Sequence, residues 1–218
     1  MKQLSKFVAY RLAERLGFGV LLSNRIKSRR VYSLENFIKD NQLSIPKIIN
    51  LSIDLGCGIN PRNVLNARRA IGFDIVKSTN PMVYTANLID SDLPVESCSA
   101  DVIYAFDFLE HVPRQAFNKD SGSPFIKMMN EISRVLKPGG LFLSSTPAYP
   151  YSEAFQDPTH INIITEKTIP LYFCQTTDNS LKPWANQYGF CGQFEIVDQA
   201  WLFHSLLHLL RKPNNFSN

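Results

Sequence analysis

The stretch Ile48–Pro61, with the sequence IINLSIDLGCGINP, is the clearest indication of the fold of this chain. Its first half is a short apolar run, which is typical of a strand buried in a parallel sheet. Gly56 and Gly58 then allow the backbone a tight turn that can lie flat against a bound molecule. Asn60 and Pro61 follow as an N-cap and a first helical position. Strand, glycine turn and helix start predict an α/β protein that holds a nucleotide-like cofactor at this turn.

The composition predicts one domain of ordinary size with short additions. The 218 residues are 44% hydrophobic and 19% charged, which suits a substantial core and excludes a disordered chain. A net charge of +4 is too mild to favour nucleic acid as a partner. The four cysteines are scattered without metal-ligand spacing, and neither a signal peptide nor a transmembrane run is evident. We therefore expect a soluble cytoplasmic protein with reduced thiols.

Residues 1–45 precede the main domain, which we expect to span residues 46–218. Apolar residues recur at helical spacing from Leu4 to Val20, with Lys and Arg on the other faces. A second helix is predicted over Ser33–Asn41, capped by Ser33. We expect this N-terminal helical segment to act as a lid or substrate cap. A basic amphipathic helix can also contact an anionic membrane surface, and that alternative stays open.

Further strands and one long helix follow the glycine turn. Asp74 ends the second strand about 20 residues beyond Asp54, where an acidic side chain binds the ribose hydroxyls of an adenosine. Asn87 and Leu88, just after the third strand, suit the two sides of an adenine base, although Asn87 can equally cap the turn. The stretch Trp201–Leu210 fits a strand or a helix. The predicted strands are Ala70–Ile75, Met82–Thr85, Asp101–Phe106 and Leu141–Ser145, and the predicted helix is Phe125–Leu136.

The glycine turn departs from the dinucleotide fingerprint, because Pro61 stands where a third glycine is expected and removes an amide donor. The motifs IDLGCG, GFD, LP before DVIYAFDFLEHV, and RVLKPGGLF lie between residues 48 and 146. Together they resemble class I S-adenosylmethionine-dependent methyltransferases of the ubiquinone-type, small-molecule group. This resemblance implies a Rossmann-like, doubly wound, seven-stranded sheet that is mostly parallel, with an antiparallel last strand and helices on both faces.

The resemblance also implies S-adenosylmethionine as the cofactor and assigns its contacts. The glycine turn would hold the methionine part, the end of the second strand the ribose, and the next two loops the adenine and the methyl donor. In chain order, these residues are Asp54, Gly56, Cys57 and Gly58 for the methionine part, Asp74 for the ribose, Ile75, Asn87 and Leu88 for the adenine, and Phe106 and Asp107 near the methyl donor.

Methyl transfer is an in-line displacement at an activated carbon, so the protein mainly aligns the reactants and excludes water. A general base is needed when the acceptor is a hydroxyl group. The candidates are His111, at the end of the fourth strand, and Asp157 and His160, in the long loop 146–188 that we expect on the acceptor side. Alternatively, Asp157 and His160 only order that loop.

No metal is predicted, although Asp107, Glu110 and His111 have the spacing of the E-x-x-E-H cluster associated with a divalent cation in ubiquinone O-methyltransferases. Glu110 and His111 can equally pair locally. The sequence therefore predicts methyl transfer to a small-molecule hydroxyl, such as that of a sugar or glycolipid precursor. Two alternatives remain: a non-catalytic cofactor-binding module, and a nicotinamide or nucleotide-sugar enzyme, whose diphosphate contacts Pro61 weakens. The sequence does not predict the oligomeric state.

Overall fold

A computed structural model describes residues 28–115, 122–175 and 182–214. The predicted helix around Leu4–Val20 lies outside these ranges. Within them, the chain forms one eight-stranded sheet and three α-helices. The strands are β1 (Arg29–Val31), β2 (Leu51–Leu55), β3 (Arg69–Asp74), β4 (Val83–Thr85), β5 (Ala100–Phe106), β6 (Leu136–Pro147), β7 (Glu195–Leu202) and β8 (Ser205–Arg211). The helices are α1 (Leu34–Asp40), α2 (Pro124–Val135) and α3 (Thr168–Phe173).

The sheet has the strand order β1-β7-β8-β6-β5-β2-β3-β4. Strand β8 is antiparallel to β6 and β7, and all other neighbours are parallel. This confirms the mostly parallel Rossmann-like sheet with an antiparallel last strand. The eighth strand is β1, which adds to the edge beside β7 with Arg29 opposite Ala200. The carboxyl ends of the parallel strands therefore meet at one edge of the sheet, where open α/β sheets bind their ligands.

Side chains alternate between the two faces of the sheet and form two separate cores. Ile103 and Ala105 of β5 pack with α2 and α3 on one face. Val102 and Tyr104 pack with Phe37 of α1 on the other. Helices thus cover both faces, as predicted. The expected cap at Ser33 is present, since its side chain accepts from the third residue of α1, and Ser123 caps α2 in the same way.

The predicted helix start at Asn60 and Pro61 is wrong. Residues 59–68 form turns, and the Asn60 side chain accepts a hydrogen bond from Asn80 instead of capping a helix. Side chains take up backbone amides that a helix would have used, and β3 begins at Arg69, which leaves little room for helical turns. The amide of Arg62 donates to Asp54, that of Leu65 to Tyr104 and that of Ala67 to Asn63.

The stretch Trp201–Leu210 proves to be the end of one strand and most of the next. Strand β7 ends at Leu202 and β8 begins at Ser205, with Phe203 in the turn at a φ of 54°. Every predicted strand overlaps an observed one, although β2 begins at Leu51, three residues later than expected from the apolar run. No helix in the part of the chain that the structure describes is long and apolar enough to cross a membrane.

Candidate active site

The glycine turn after β2 combines one crowded glycine with one open glycine. Gly56 has a φ of 67°, and its amide donates to the carbonyl of Phe73 at 2.9 Å. A Cβ atom on Gly56 would lie 2.7 Å from Cδ2 of Phe108. Gly58 also has a positive φ, of 62°, but a Cβ there would meet no described atom within 4 Å. The turn is thus fixed by packing at Gly56 and leaves space above Gly58.

Cys57, between the two glycines, packs into the protein. A Cβ atom on Gly72 of β3 would lie 2.3 Å from the Cys57 sulfur, so only glycine leaves room for this side chain. Burial raises the pKa of Cys57 to about 11, which keeps it a neutral thiol. Gly72 belongs to the GFD motif, and sequence reasoning gave it no role of its own. Cys57 therefore locks the glycine turn against β3.

Asp54 is the last buried carboxylate before the turn. Its Oδ2 accepts a hydrogen bond from the Arg62 amide at 2.8 Å and lies 3.5 Å from the Arg62 guanidinium. Its Oδ1 is buried and has no hydrogen-bond partner within the described ranges. Burial raises the pKa of Asp54 to about 6. One oxygen of this carboxylate thus has no donor among the described residues, which is unusual for a buried polar atom.

Asp74 ties the glycine turn to the end of β3. Its Oδ2 accepts from the Gly58 amide at 2.7 Å, and its Oδ1 accepts from the Val76 amide at 2.8 Å. Each carboxylate oxygen retains a further lone pair for a ligand hydroxyl. Ile75, the next residue, is 68% exposed, so its side chain is free to cover a ligand.

The structure places Asn87 and Leu88 in different environments. The Asn87 side chain caps its turn, accepting from the Ile89 amide at 3.2 Å and donating to Asp90 at 2.5 Å. This is the alternative role that the sequence left open. Leu88 is only 6% exposed and packs in the core.

Phe106 and Asp107 lie at the carboxyl end of β5. The Arg62 guanidinium stacks over the Phe106 ring at 5.3 Å, so Arg62 contacts both Phe106 and Asp54. Asp107 has a φ of 51°, and its amide donates to the carbonyl of Ser145. Sequence reasoning missed Arg62, because only the turn conformation of residues 59–68 brings it back over the sheet edge.

The candidate catalytic residues form one cluster at this edge. Glu110 and His111 lie on the short 3-10 helix Leu109–His111 after β5, and His160 lies in the loop after β6. One potential ligand atom from each of the three lies within 4.8 Å of the other two, and the two imidazole rings are 4.9 Å apart, centre to centre. The amides of Ile161 and Asn162 donate to the Glu110 carbonyl and hold the two segments together. Asp107 is not part of this group.

Both histidines are oriented by hydrogen bonds to backbone carbonyls. The Nδ1 atom of His160 lies 3.0 Å from the Glu153 carbonyl, and that of His111 lies 3.2 Å from the Thr159 carbonyl. Because a carbonyl only accepts, each neutral ring carries its proton on Nδ1 and keeps the Nε2 lone pair free. Asp157 accepts from the amide and hydroxyl of Thr159, and its Oδ2 lies 3.9 Å from Nε2 of His160. His111, Asp157 and His160 are thus brought together.

Glu110 is the unexpected member of this cluster. It is 1% exposed, and neither carboxylate oxygen has a hydrogen-bond partner within residues 28–115, 122–175 and 182–214. Burial raises the pKa of Glu110 to about 8. Sequence reasoning placed it only in an alternative metal cluster with Asp107 and His111. A signal was present, since the apolar residues of LEHV surround it in the sequence.

A cavity of about 660 Å³ opens between β1, β7 and the loop after β6. Three aromatic side chains and several charged ones line it. The lining residues are Ser28, Arg30, Tyr149, Pro150, Tyr151, Thr165, Glu166, Lys167 and Trp201. Glu166 accepts hydrogen bonds from the Trp201 indole and the Ser28 amide, which joins the two walls. The lining residues of β1 and β7 lie toward the strands' carboxyl ends, at the same edge of the sheet as the glycine turn.

Sheet order, glycine turn and the acidic end of β3 together define a class I S-adenosylmethionine-dependent methyltransferase. Residues 46–191, more than half of the chain, match a family model described as "methyltransferase domain". The chain belongs to this family, and S-adenosylmethionine is the cofactor of its class.

A sequence relative points to the same class. A probable S-adenosylmethionine-dependent methyltransferase of Mycolicibacterium smegmatis is 35% identical over 88 residues. The match covers 37% of this chain and 30% of that protein, so the chain spans less than a third of its length. The match therefore does not extend to the activity of the full-length relative.

Solved structures share the fold at low sequence identity. An S-adenosylmethionine-dependent methyltransferase from Clostridium acetobutylicum has a TM-score of 0.52 at 11% identity, covering 82% of this chain and 90% of that one. The [4+2]-cyclase SpnF has a TM-score of 0.51 at 14% identity, covering 94% of both chains. Because a cyclase shares this fold, the fold alone does not determine the reaction. The reaction depends on the residues of the site.

Proposed function

We propose that this protein transfers the methyl group of S-adenosylmethionine to a hydroxyl oxygen of a small molecule, such as a sugar or glycolipid precursor. The cluster of His111, His160 and Glu110 carries the proposal, because it puts two imidazoles, whose ring nitrogens can accept a proton, at the edge of the sheet that holds the glycine turn. A hydroxyl acceptor needs such groups, since it must lose its proton as the new bond forms.

The cofactor contacts follow from the groups around the glycine turn. The buried and unpartnered Oδ1 of Asp54 suits the ammonium group of the methionine part. The open space next to Gly58 leaves room for the cofactor to pass close to the backbone. Asp74 retains lone pairs for the ribose hydroxyls. The predicted contacts of Cys57, Ile75, Asn87, Leu88, Phe106 and Asp107 remain part of this proposal.

The 660 Å³ cavity is the proposed acceptor site. Tyr149, Tyr151 and Trp201 offer aromatic faces for the apolar side of a sugar ring, while Arg30 and Lys167 offer donors to its oxygens or to an attached phosphate. The loop that lines the cavity continues to His160, so one segment joins the acceptor site to the cluster. Residues 1–45 and the loop 146–188 would cover the bound acceptor.

The proposed reaction needs little from the protein beyond position and proton removal. The acceptor oxygen attacks the methyl carbon in line with the carbon–sulfur bond, and the bond electrons return to sulfur to give S-adenosylhomocysteine. The hydroxyl proton passes to the cluster, where His160 offers a free Nε2 with Asp157 at 3.9 Å. Exclusion of water by the acceptor-side loop protects the reaction.

The proposal is tested by following S-adenosylhomocysteine and the methylated product by mass spectrometry over a panel of sugars, nucleotide sugars and lipid-linked sugars. We expect one acceptor class to support turnover, with His160→Ala slow and His204→Ala close to wild type. His204 is a suitable control because it lies outside the cluster. Cofactor binding without turnover on any hydroxyl acceptor would indicate a binding module. Binding of NAD without S-adenosylmethionine would indicate a dinucleotide enzyme.

A further inference from the structure

We infer that Glu110, His111 and His160 form a binding site for one divalent transition-metal cation. The binding itself depends only on these three side chains. Its role toward the acceptor hydroxyl rests on the proposed function.

The donor atoms of the three side chains lie close together. One imidazole nitrogen from each histidine and one carboxylate oxygen of Glu110 lie within 4.8 Å of one another. Ligands of a tetrahedral cation at about 2.1 Å are about 3.4 Å from one another. Small side-chain movements therefore bring all three donors into contact with one ion.

Both imidazoles are oriented in the way that metal-binding histidines are oriented. Their Nδ1 atoms contact the carbonyls of Glu153 and Thr159, which leaves Nε2 free on each ring. Histidines that bind metals donate their other ring N–H in this way, because the contact fixes both tautomer and orientation. Thr159 itself donates two hydrogen bonds to Asp157, which fix the position of the carbonyl that His111 contacts.

Glu110 provides evidence that does not depend on the histidines. It is 99% buried, and in the described parts of the chain neither of its oxygens has a hydrogen-bond partner within 3.5 Å, nor has the Thr146 hydroxyl beside it. Buried polar atoms are normally paired, and a buried carboxylate without a partner is costly. A cation between the histidines supplies the missing partner.

The donor set favours a transition metal over Mg²⁺ or Ca²⁺. Those two ions prefer oxygen ligands, whereas two imidazoles and one carboxylate suit Zn²⁺ or Fe²⁺. Three protein ligands also leave a coordination position open, as in catalytic sites. Asp157, with Oδ2 at 3.9 Å from Nε2 of His160, lies beside the cluster.

This arrangement changes how the acceptor hydroxyl is activated in the proposed reaction. A hydroxyl bound to the cation at the open position loses its proton more readily. Both Nε2 atoms are then ligands, so the proton passes to Asp157 or to solvent and the alkoxide attacks the methyl group. Metal binding without methyl transfer would overturn only the proposed function, whereas methyl transfer without metal binding would overturn only this inference.

The site is tested on the full chain after removal of metal with a chelator. We expect isothermal titration with Zn²⁺ to show one equivalent bound, Zn²⁺ to raise the melting temperature, and Mg²⁺ to bind at least 10-fold more weakly. Co²⁺ should give a visible spectrum without thiolate charge-transfer bands. The rise in melting temperature follows from binding to the folded chain alone and requires no variant.

Matched variants locate the ion. Glu110→Gln and His160→Ala should each weaken Zn²⁺ binding at least 10-fold, and His204→Ala should leave it within about 2-fold. Cys98→Ser and Cys191→Ser serve as controls for the exposed thiols. Absence of stoichiometric Zn²⁺ binding in the wild type, or equal binding in Glu110→Gln, His160→Ala and the wild type, would overturn the inference.

Discussion

The two halves of the sheet's carboxyl edge differ in how their polar groups are satisfied. Around the glycine turn, Asp74 accepts backbone amides with both of its oxygens, and a single oxygen of Asp54 has no partner among the described residues. In the cluster after β5 and β6, neither oxygen of Glu110 and neither histidine Nε2 atom has a hydrogen-bond partner within the same part of the chain. The first half is preorganised for one defined ligand, and the second depends on a partner that completes it. Four experiments test this difference.

The largest effect is expected from His160→Ala. Turnover should fall by about 10²–10⁴-fold, because the acceptor hydroxyl loses the group that accepts its proton or holds its activating ion. The affinity for S-adenosylmethionine should stay within about 2-fold of the wild type. Product formation and calorimetric titration measure the two quantities separately. A parallel loss of cofactor affinity would show that the two halves are one site.

The second effect is a pH dependence of the free energy of unfolding, which arises from Asp54 beside the glycine turn. The pKa of Asp54 is raised to about 6 by burial, so between about pH 4 and 6 the folded chain holds a proton that the unfolded chain has lost. The free energy of unfolding should therefore fall as pH rises through this range, by up to about 3 kcal/mol. Asp54→Asn should reduce this slope by the Asp54 contribution and leave the contribution of Glu110, whose raised pKa acts in the same direction. Urea unfolding at several pH values measures it, and identical slopes in both chains would contradict the assignment.

Asp74→Ala tests the ribose contact. We expect affinity for S-adenosylmethionine to fall by about 1–3 kcal/mol, because a charge-assisted hydrogen bond is lost. Asp74 also holds the Gly58 amide, so Asp74→Asn, which keeps an accepting oxygen, is the matched control. If both variants bind the cofactor as the wild type does, Asp74 has no role in binding it.

The smallest effect is the difference in free energy of unfolding between two alanine substitutions, Gly56→Ala and Gly58→Ala. Gly56→Ala should lower the free energy of unfolding by about 1–3 kcal/mol, since the new methyl meets Phe108 and the φ is positive. Gly58→Ala carries only the backbone strain and should cost less. Urea unfolding compares them. Equal losses would show that packing against Phe108 contributes nothing at Gly56.

Sequence alone predicts the region around the glycine turn better than the cluster of Glu110, His111 and His160. Strand β2, its glycines and the acidic end of β3 follow from local patterns, because each residue's role depends on near neighbours. The helix after Asn60 was predicted wrongly, because tertiary acceptors capture the amides that a helix needs. His111 and Thr159 lie 48 residues apart, so no spacing rule brings His111 and His160 together. The burial of Glu110 likewise depends on packing between distant segments.

Strand β1 sets the order in which this molecule can assemble. Its Arg29 pairs with Asp198, 169 residues further along the chain, whereas β2, β3 and β5 join through short connections. Contacts of such high sequence separation form late in folding, because closing a long loop costs entropy first. During synthesis, the strands that carry the glycine turn can pair long before β7 has emerged. The strands around the glycine turn can therefore pair while the cavity wall that includes Arg30 is still missing.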